Sequence, residues 1–422
     1  MKIVDELFAR GLVQEVSDRE GLAALLAAGP VTFYLGQDPS ATSLHAGNLV
    51  PISVATRLAR AGHRFIALVG GATGMVGDPS GKSGERKLLD GETLAANVAA
   101  IRRQVEQFVS GDAVVVNNAD WFTPIGYLEF LRDVGKHITV NYMLAKESVR
   151  ARLEDREQGI SYTEFSYMLL QGYDFVHLAR THGCRLQIGG ADQWGNITCG
   201  IELSRKMGGE APVFGLVSPL LLTASGAKFG KSEKGAVFLD PELTSPYQFY
   251  QYWLNAEDAD VDKLLRMFTF LGLEEIAAVV AEHEGDRAKR VGQRRLAEEV
   301  TSWVHGADAT RRAAAVTAVL FGGAIENLSD ADLEPILADA PAVDVPRAEL
   351  EGGIGLLDLF TRAGVADSKS EARRLVTQGG AYLNNVRAED ANRVVTVADL
   401  ATESMILLRG GKKKIRIVRA RA

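Results

Sequence analysis

The stretch Val31-Thr32-Phe33-Tyr34-Leu35-Gly36-Gln37-Asp38-Pro39-Ser40, continued by Ser43-Leu44-His45-Ala46-Gly47-Asn48-Leu49-Val50-Pro51, decides the fold. Five apolar or β-branched residues run into a glycine, and an amphipathic segment follows. That is the pattern of a strand that delivers a ligand loop ahead of a helix. Proline loses no intrahelical bond within the first four helical positions, so Pro51 predicts a helix that begins near Gly47 or Asn48. His45, Gly47 and Asn48 then stand at a helix N-terminus, where unpaired backbone N–H groups and the helix dipole favour an anion. Read alone, the same turn is also a helix cap with an incidental histidine.

Working outward, strand candidates at residues 31–35, 65–69 and 185–188 each end in glycine-rich sequence, with amphipathic stretches between them. This alternation predicts an α/β domain on a largely parallel sheet. Residues 244–321 have apolar positions at helical spacing and almost no strand pattern, which predicts a helical domain. Residues 322–351 carry Glu326, Asp330, Asp332, Glu334, Asp339, Asp344, Glu349 and Glu351 against Arg347 alone, together with Pro335, Pro341 and Pro346. Like charge with proline predicts an extended linker around one short helix. Residues 354–422 hold two helical patterns, then short strands and a basic tail.

The chain has 422 residues, 46% hydrophobic and 24% charged, which excludes collagen-like, disordered and coiled-coil classes. Cys184 and Cys199 are too few for a disulfide framework and read as free thiols in a reducing compartment, by default the cytoplasm. No secretory leader or membrane-spanning run is evident, so no membrane partner is expected. The net charge of −7 argues against general nucleic-acid binding, but it is unevenly spread. Residues 361–422 hold 13 Lys and Arg against 6 Asp and Glu, a net of +7, which leaves −14 for the rest. Arg409, Lys412, Lys413, Lys414, Arg416, Arg419 and Arg421 meet no acid in the last stretch of chain, which suits a phosphate-contacting surface and, read alone, also a solvated tail.

Two further loops carry chemistry. Gly70-Gly71-Ala72-Thr73-Gly74-Met75-Val76-Gly77-Asp78-Pro79-Ser80-Gly81-Lys82-Ser83 misses a P-loop by one residue, because Val76 stands where the first glycine belongs. Its Asp78 and Lys82, with Arg86, still suit an ATP-facing surface. Lys228-Phe229-Gly230-Lys231-Ser232 places two lysines three apart that could reach phosphates as mobile point charges, and read alone is also a solvated turn.

In this order the motifs resemble the class I aminoacyl-tRNA synthetases: His45-Ala46-Gly47-Asn48 is similar to their HIGH signature and Lys228-Phe229-Gly230-Lys231-Ser232 to KMSKS. The segments Tyr162 onward through Tyr167, Gln171 and Asp174, and Gln187-Ile188-Gly189-Gly190-Ala191-Asp192-Gln193-Trp194-Gly195-Asn196, resemble the bacterial tyrosyl-tRNA synthetases in particular. Ser368-Lys369-Ser370-Glu371-Ala372-Arg373-Arg374-Leu375-Val376 resembles an S4-type RNA-binding domain. Asn48 replaces the second histidine of HIGH and keeps a neutral donor, Leu35 stands where many relatives carry cysteine, and Ser40 keeps the hydroxyl of threonine.

The resemblance implies a Rossmann-like catalytic domain over residues 1–235 with a dimer-forming insertion near 120–160, and a helical anticodon-side domain over 236–322. A linker over 323–352 and an S4-type α+β domain over 353–422 complete it. It implies tyrosine, ATP and tRNA(Tyr) as partners, a homodimer, and Mg²⁺ arriving with ATP, without a tightly bound cofactor or protein metal cage. His45, Asn48, Lys82, Arg86, Lys228 and Lys231 would serve transition-state binding. Tyr34 and Asp174 would meet the phenol, while Asp78, Tyr167, Gln171 and Gln193 would hold the rest of tyrosine. Gly36, Asp38, Ser40, His45, Gly47, Asn48, Gly190, Asp192 and the two lysines would line the ATP site. Lys369, Arg373, Arg374, Lys412, Lys413 and Lys414 would contact tRNA. A tryptophanyl enzyme, a non-catalytic RNA-binding relative and a P-loop kinase are the competing readings.

Overall fold

Strands β1 (Glu15–Val16), β2 (Thr32–Gln37), β3 (Arg64–Val69), β4 (Val114–Asn117), β5 (Cys184–Gly190) and β6 (Phe214–Ser218) form one sheet in the order β1-β6-β5-β2-β3-β4. All neighbours are parallel except β1, which pairs antiparallel with β6. The computed structural model describes residues 2–80, 89–108, 113–154, 159–224, 226, 229–232, 235–320, 322–323, 325, 328–337, 340–411 and 414–421. The three strands expected from sequence are β2, β3 and β5. From β2 the chain crosses through helix Leu49–Arg60 to β3, and from β5 through helix Trp194–Lys206 to β6 on the other side. Strand order therefore reverses between β2 and β5, and a sheet of this kind opens a crevice at the carboxyl ends of those two strands. Phe33 of β2 stacks on Phe65 of β3 at 5.2 Å.

The chain divides into two compact units, Met1–Ser245 with Tyr252–Glu299, and Pro246–Gln251 with Val300–Ala422. The helices expected over 244–321 are present as Pro246–Leu254, Val261–Phe268, Leu273–Gly285, Val291–His305 and Ala307–Leu320. They are shared between the two units and do not form a separate body. In the first unit Ser53 of helix Leu49–Arg60 donates to Met267 O at 2.6 Å, and Arg57 donates to Thr269 O. In the second, Val316 and Val319 pack under Met405, Leu407 and Ile417.

The short strands β7 (Lys231–Ser232) and β8 (Gly235–Ala236) pair with each other in the first unit, as do β10 (Ile354–Gly355) and β13 (Val394–Val395) in the second. The acidic segment differs from the extended linker expected over 323–352. It carries helix Asp330–Leu337, β9 (Ala342–Pro346) and helix Arg347–Gly352. β9 pairs in parallel with β15 (Lys414–Arg421) at the edge of a sheet that continues through β14 (Met405–Gly410), β11 (Ala381–Leu383) and β12 (Val386–Arg387). The reason is a period of two that the charges conceal: Val343 and Val345 face the core of this unit, while Asp344 between them pairs with Arg421 at 3.1 Å. Pro346 ends the strand on the edge, where a missing N–H is tolerated.

Candidate active site

A cavity of about 630 Å³ opens at the carboxyl ends of β2 and β5. Tyr34, Gly36, Asp38, Ser40, His45, Gly47, Asn48, Asp78, Tyr167, Gln171, Asp174, Gly190, Asp192 and Gln193, all expected from sequence, line it. Helix Tyr162–His182 brings three of them together. Ser161 caps it by accepting from Glu164 N, Gly183 ends it in the left-handed conformation, and Tyr167, Gln171 and Asp174 follow at i, i+4 and i+7 on one face.

At the deep end lie Tyr34 and Asp174. Tyr34 is 1% exposed, edge-on to Phe175 at 5.4 Å, and its hydroxyl has no hydrogen-bond partner among the described residues. Burial, then the neighbouring Asp174, pushes its phenol pKa well above the usual value. The Asp174 carboxylate accepts from Trp121 Nε1 at 2.9 Å and from Asn118 Nδ2 at 3.2 Å. Burial still pushes its pKa well above the carboxylate range, against the pull of those two donors. Gln187 Oε1 is a second buried acceptor on the cavity wall without a partner among the described residues. A buried polar atom without a partner loses free energy, so this end of the cavity favours a ligand that brings its own donor and acceptor.

A polar chain runs from there toward the mouth. Asn118 Nδ2 also donates to Thr73 Oγ1 at 3.0 Å, Thr73 donates to Asp38 Oδ1 at 2.7 Å, and Tyr167 donates to Asp38 Oδ2 at 2.8 Å. Gly70 makes room for it, since a Cβ there would lie 2.1 Å from Asp38 Oδ1. Asp78 accepts from Gln193 Nε2 at 2.7 Å, and Asn196 donates to Gln171 Oε1 at 3.0 Å. Asp78, Gln171 and the Tyr167 oxygen thus present acceptors on one wall, as an ammonium group requires.

The signature turn matches the helix start expected from Pro51. A 3₁₀ turn, Ala46–Asn48, leads into helix Leu49–Arg60. His45 Nδ1 accepts from Gly47 N at 3.1 Å, Asn48 Oδ1 accepts from His45 N at 3.0 Å, and Asn48 Nδ2 donates to Gln37 Oε1 at 3.1 Å. An acceptor Nδ1 fixes the neutral tautomer of His45 with its proton on Nε2, a donor for an anionic ligand. Ala46 N donates to Val237 O and Leu239 N to Leu44 O, both at 2.8 Å, so this turn is tied to the segment that follows the lysine loop.

Against models of protein families, residues 26–322 match the tRNA synthetases class I (W and Y), and residues 337–418 match the tyrosine–tRNA ligase SYY-like C-terminal domain. The chain belongs to the class I tyrosyl-tRNA synthetases. It is 52% identical over 423 residues to a tyrosine–tRNA ligase of Roseiflexus castenholzii, with 99% of both chains covered. It is 49% identical over 425 residues to the one of Bacillus caldotenax, covering 99% of this chain and 100% of that one. A C-terminally truncated mitochondrial tyrosyl-tRNA synthetase of Aspergillus nidulans superposes with a TM-score of 0.70 at 30% identity, over 76% of this chain and 94% of that chain. A tryptophanyl-tRNA synthetase of Encephalitozoon cuniculi shares the fold at 15% identity and a TM-score of 0.54, over 79% of this chain and 91% of that chain.

The remaining residues expected from this synthetase family are distributed as follows. Lys82, Arg86, Lys228, Lys412 and Lys413 lie outside the described residues, and Lys231 is described through its backbone, which pairs with Ala236. Arg373 and Arg374 are exposed on helix Lys369–Thr377, and Lys414 begins β15. Lys369 is paired with Asp358, Arg421 with Asp344 and Arg419 with Glu334. The acidic segment thus meets part of the basic tail. Sequence reasoning left out Asn118, Trp121, Thr73 and Asn196, which hold the side chains of the site, and Gln37 and Gln187, which line the cavity. The motif segment 187–196 did contain Gln187 and Asn196.

Proposed function

We propose that tyrosine occupies the deep end of the cavity with its phenol between Tyr34 and Asp174, its ammonium on Asp78, Tyr167 and Gln171, and its carboxylate turned toward Gln193. The observation that carries this reading is the buried Tyr34 hydroxyl, which lines the cavity and has no partner among the described residues. A tyrosine hydroxyl donates to Asp174 and accepts from Tyr34, whereas phenylalanine would leave the Tyr34 hydroxyl unmatched and bring no further donor to Asp174; tyrosyl-tRNA synthetases are the established example of such rejection without editing.

As a tyrosine–tRNA ligase the protein activates tyrosine with ATP and transfers it to tRNA(Tyr). The tyrosine carboxylate is ionised at neutral pH and needs no general base. Its oxygen attacks the α-phosphorus in line as the bond to the bridging oxygen of the β-phosphate breaks, releasing pyrophosphate. A hydroxyl of the tRNA 3′-terminal adenosine then attacks the adenylate carbonyl, and AMP leaves. In our reading the adenosine and phosphates lie along Gly36, Asp38, Ser40, Gly47, Gly190 and Asp192. His45, Asn48, Lys82, Arg86, Lys228 and Lys231 stabilise the charge that develops on the phosphate. Magnesium enters with the ATP phosphates, as this ion usually does.

We further propose a cytoplasmic homodimer formed through residues 120–160, a region that exposes Leu128 at 78% and Val140 at 58%. Large exposed apolar side chains in one region of the chain suit a protein interface. The tRNA contacts are assigned to Arg373, Arg374 and the lysines at 412–414, with Lys369 reaching RNA on release from Asp358. No helix of the described residues is long and apolar enough to cross a membrane.

The decisive assay is pyrophosphate exchange into ATP with each of the twenty amino acids. Exchange driven by tyrosine is expected. Exchange driven by tryptophan and not tyrosine would overturn the assignment of the pocket, and tRNA binding without any exchange would point to a non-catalytic protein.

A further inference from the structure

The lysine loop is held by a set of contacts that the signature motif does not contain. Phe229 is 9% exposed, stacks on Phe268 at 5.3 Å and 18°, and meets Trp253 and Tyr252 at 5.5 and 5.6 Å. The next residue, Gly230, has φ +85°, and a Cβ there would come within 2.7 Å of Gly47 N in the signature turn. Its carbonyl accepts from Val237 N at 2.9 Å, and its N–H donates to the Tyr252 hydroxyl, also at 2.9 Å. Lys231 follows directly and pairs through its backbone with Ala236. Upstream, Ala224 N donates to Asp260 Oδ2 at 2.8 Å and Lys263 Nζ to Leu222 O at 2.9 Å.

From this arrangement we infer that Tyr252 is a positioning residue for tyrosine activation: its phenol oxygen fixes the Gly230 amide, and with it the point from which Lys231 reaches the ATP phosphates. The inference rests on the reading that Lys231 acts on ATP. The ring and the hydroxyl have separable roles. The ring packs on Phe229 and Trp253, which any aromatic residue would do. The hydroxyl accepts the Gly230 N–H, next to the close approach of Gly230 to Gly47. Burial pushes the Tyr252 phenol up to about 12, so it stays neutral and able to accept throughout the working range of the enzyme. Its place at the start of the segment 252–299, some twenty residues beyond the motif, explains why a reading of Lys228 to Ser232 does not disclose it.

Tyr252→Phe keeps the ring and removes only the acceptor. Exchange kinetics for Tyr252→Phe, Lys231→Ala and the double variant, with Tm for each, test the inference. Tyr252→Phe is expected to lower kcat/KM for ATP by about tenfold, the scale of one unmatched buried donor, with KM for tyrosine unchanged and Tm lowered only slightly. In the Lys231→Ala background the same substitution should cost almost nothing, because the group that it positions is gone. An unimpaired Tyr252→Phe beside an impaired Lys231→Ala overturns the inference alone. So does an equal loss in both backgrounds accompanied by a large fall in Tm, which marks packing only. A fully active Lys231→Ala overturns the reading of the loop and this inference with it.

Discussion

At the scale of the residue, the deep end of the cavity concentrates buried polar atoms that await a ligand. Tyr34→Phe should fold normally, since its hydroxyl has no partner to lose among the described residues. It should narrow the preference for tyrosine over phenylalanine in the exchange assay by about tenfold to a hundredfold. An unchanged ratio would remove Tyr34 from recognition. Asp174 gives a pH signature. Its folded-state pKa is raised by burial, so its favourable contribution to stability is fully present below the unfolded value and is lost as pH rises through the folded one. The stability of the ligand-free protein relative to Asp174→Asn should therefore fall as pH rises from acid toward neutral, as read by chemical denaturation at several pH values. A flat difference would mean that Asp174 is not held in a raised state. The cavity-lining residues were legible because their motifs are local: His45 to Asn48, and Tyr167 to Asp174 on one helix. Asn118 and Trp121 were not, because they act on Asp174 across 56 and 53 positions of sequence, and no local pattern marks such a partner.

At the scale of the element, strands and helices with a clear period were legible and those with a masked or short one were not. β2, β3 and β5 run six or seven residues between glycine-rich turns. β4 has four residues, β1 has two, and β9 hides its two core valines among acids and prolines. Helix Leu49–Arg60 shows what anchoring costs. Its N-terminus carries the signature turn, and near its other end Arg57 donates to Thr269 O while Arg10 donates to Leu271 O at 2.7 Å. These guanidinium groups satisfy carbonyls just beyond helix Val261–Phe268 that would otherwise be buried and unmatched. Arg57→Met should lower unfolding free energy by about 1–3 kcal/mol in denaturant titration and leave KM for tyrosine unchanged. A neutral effect on stability would mean that water replaces the guanidinium.

At the scale of the whole molecule, the division of charge predicts a division of labour. On our proposal the net of +7 in residues 361–422 gives the C-terminal end its RNA affinity, while the cavity lies wholly within the unit that carries the parallel sheet. Removing the C-terminal part should spare tyrosine-dependent exchange and abolish tRNA charging, yet the place of the cut decides whether the remainder behaves. A chain ending at Gly352 keeps β9 but strips away β15, its only neighbour in the sheet among the described residues, and uncovers Val343 and Val345. An unpaired edge strand with exposed valines invites association with other copies. A chain ending at Gly322 removes that strand altogether and bares Val316 and Val319, with Tyr247 and Ala315 beside them, where this cluster had packed on Met405, Leu407 and Ile417. The shorter chain should therefore be the better behaved of the two: more soluble and of lower mass by light scattering, with exchange kinetics near those of the full chain and no charging. Charging by either form would refute the assignment of RNA affinity to residues 361–422. Equal solubility of both would mean that β9 draws no stability from β15, against the five-residue parallel register that joins them.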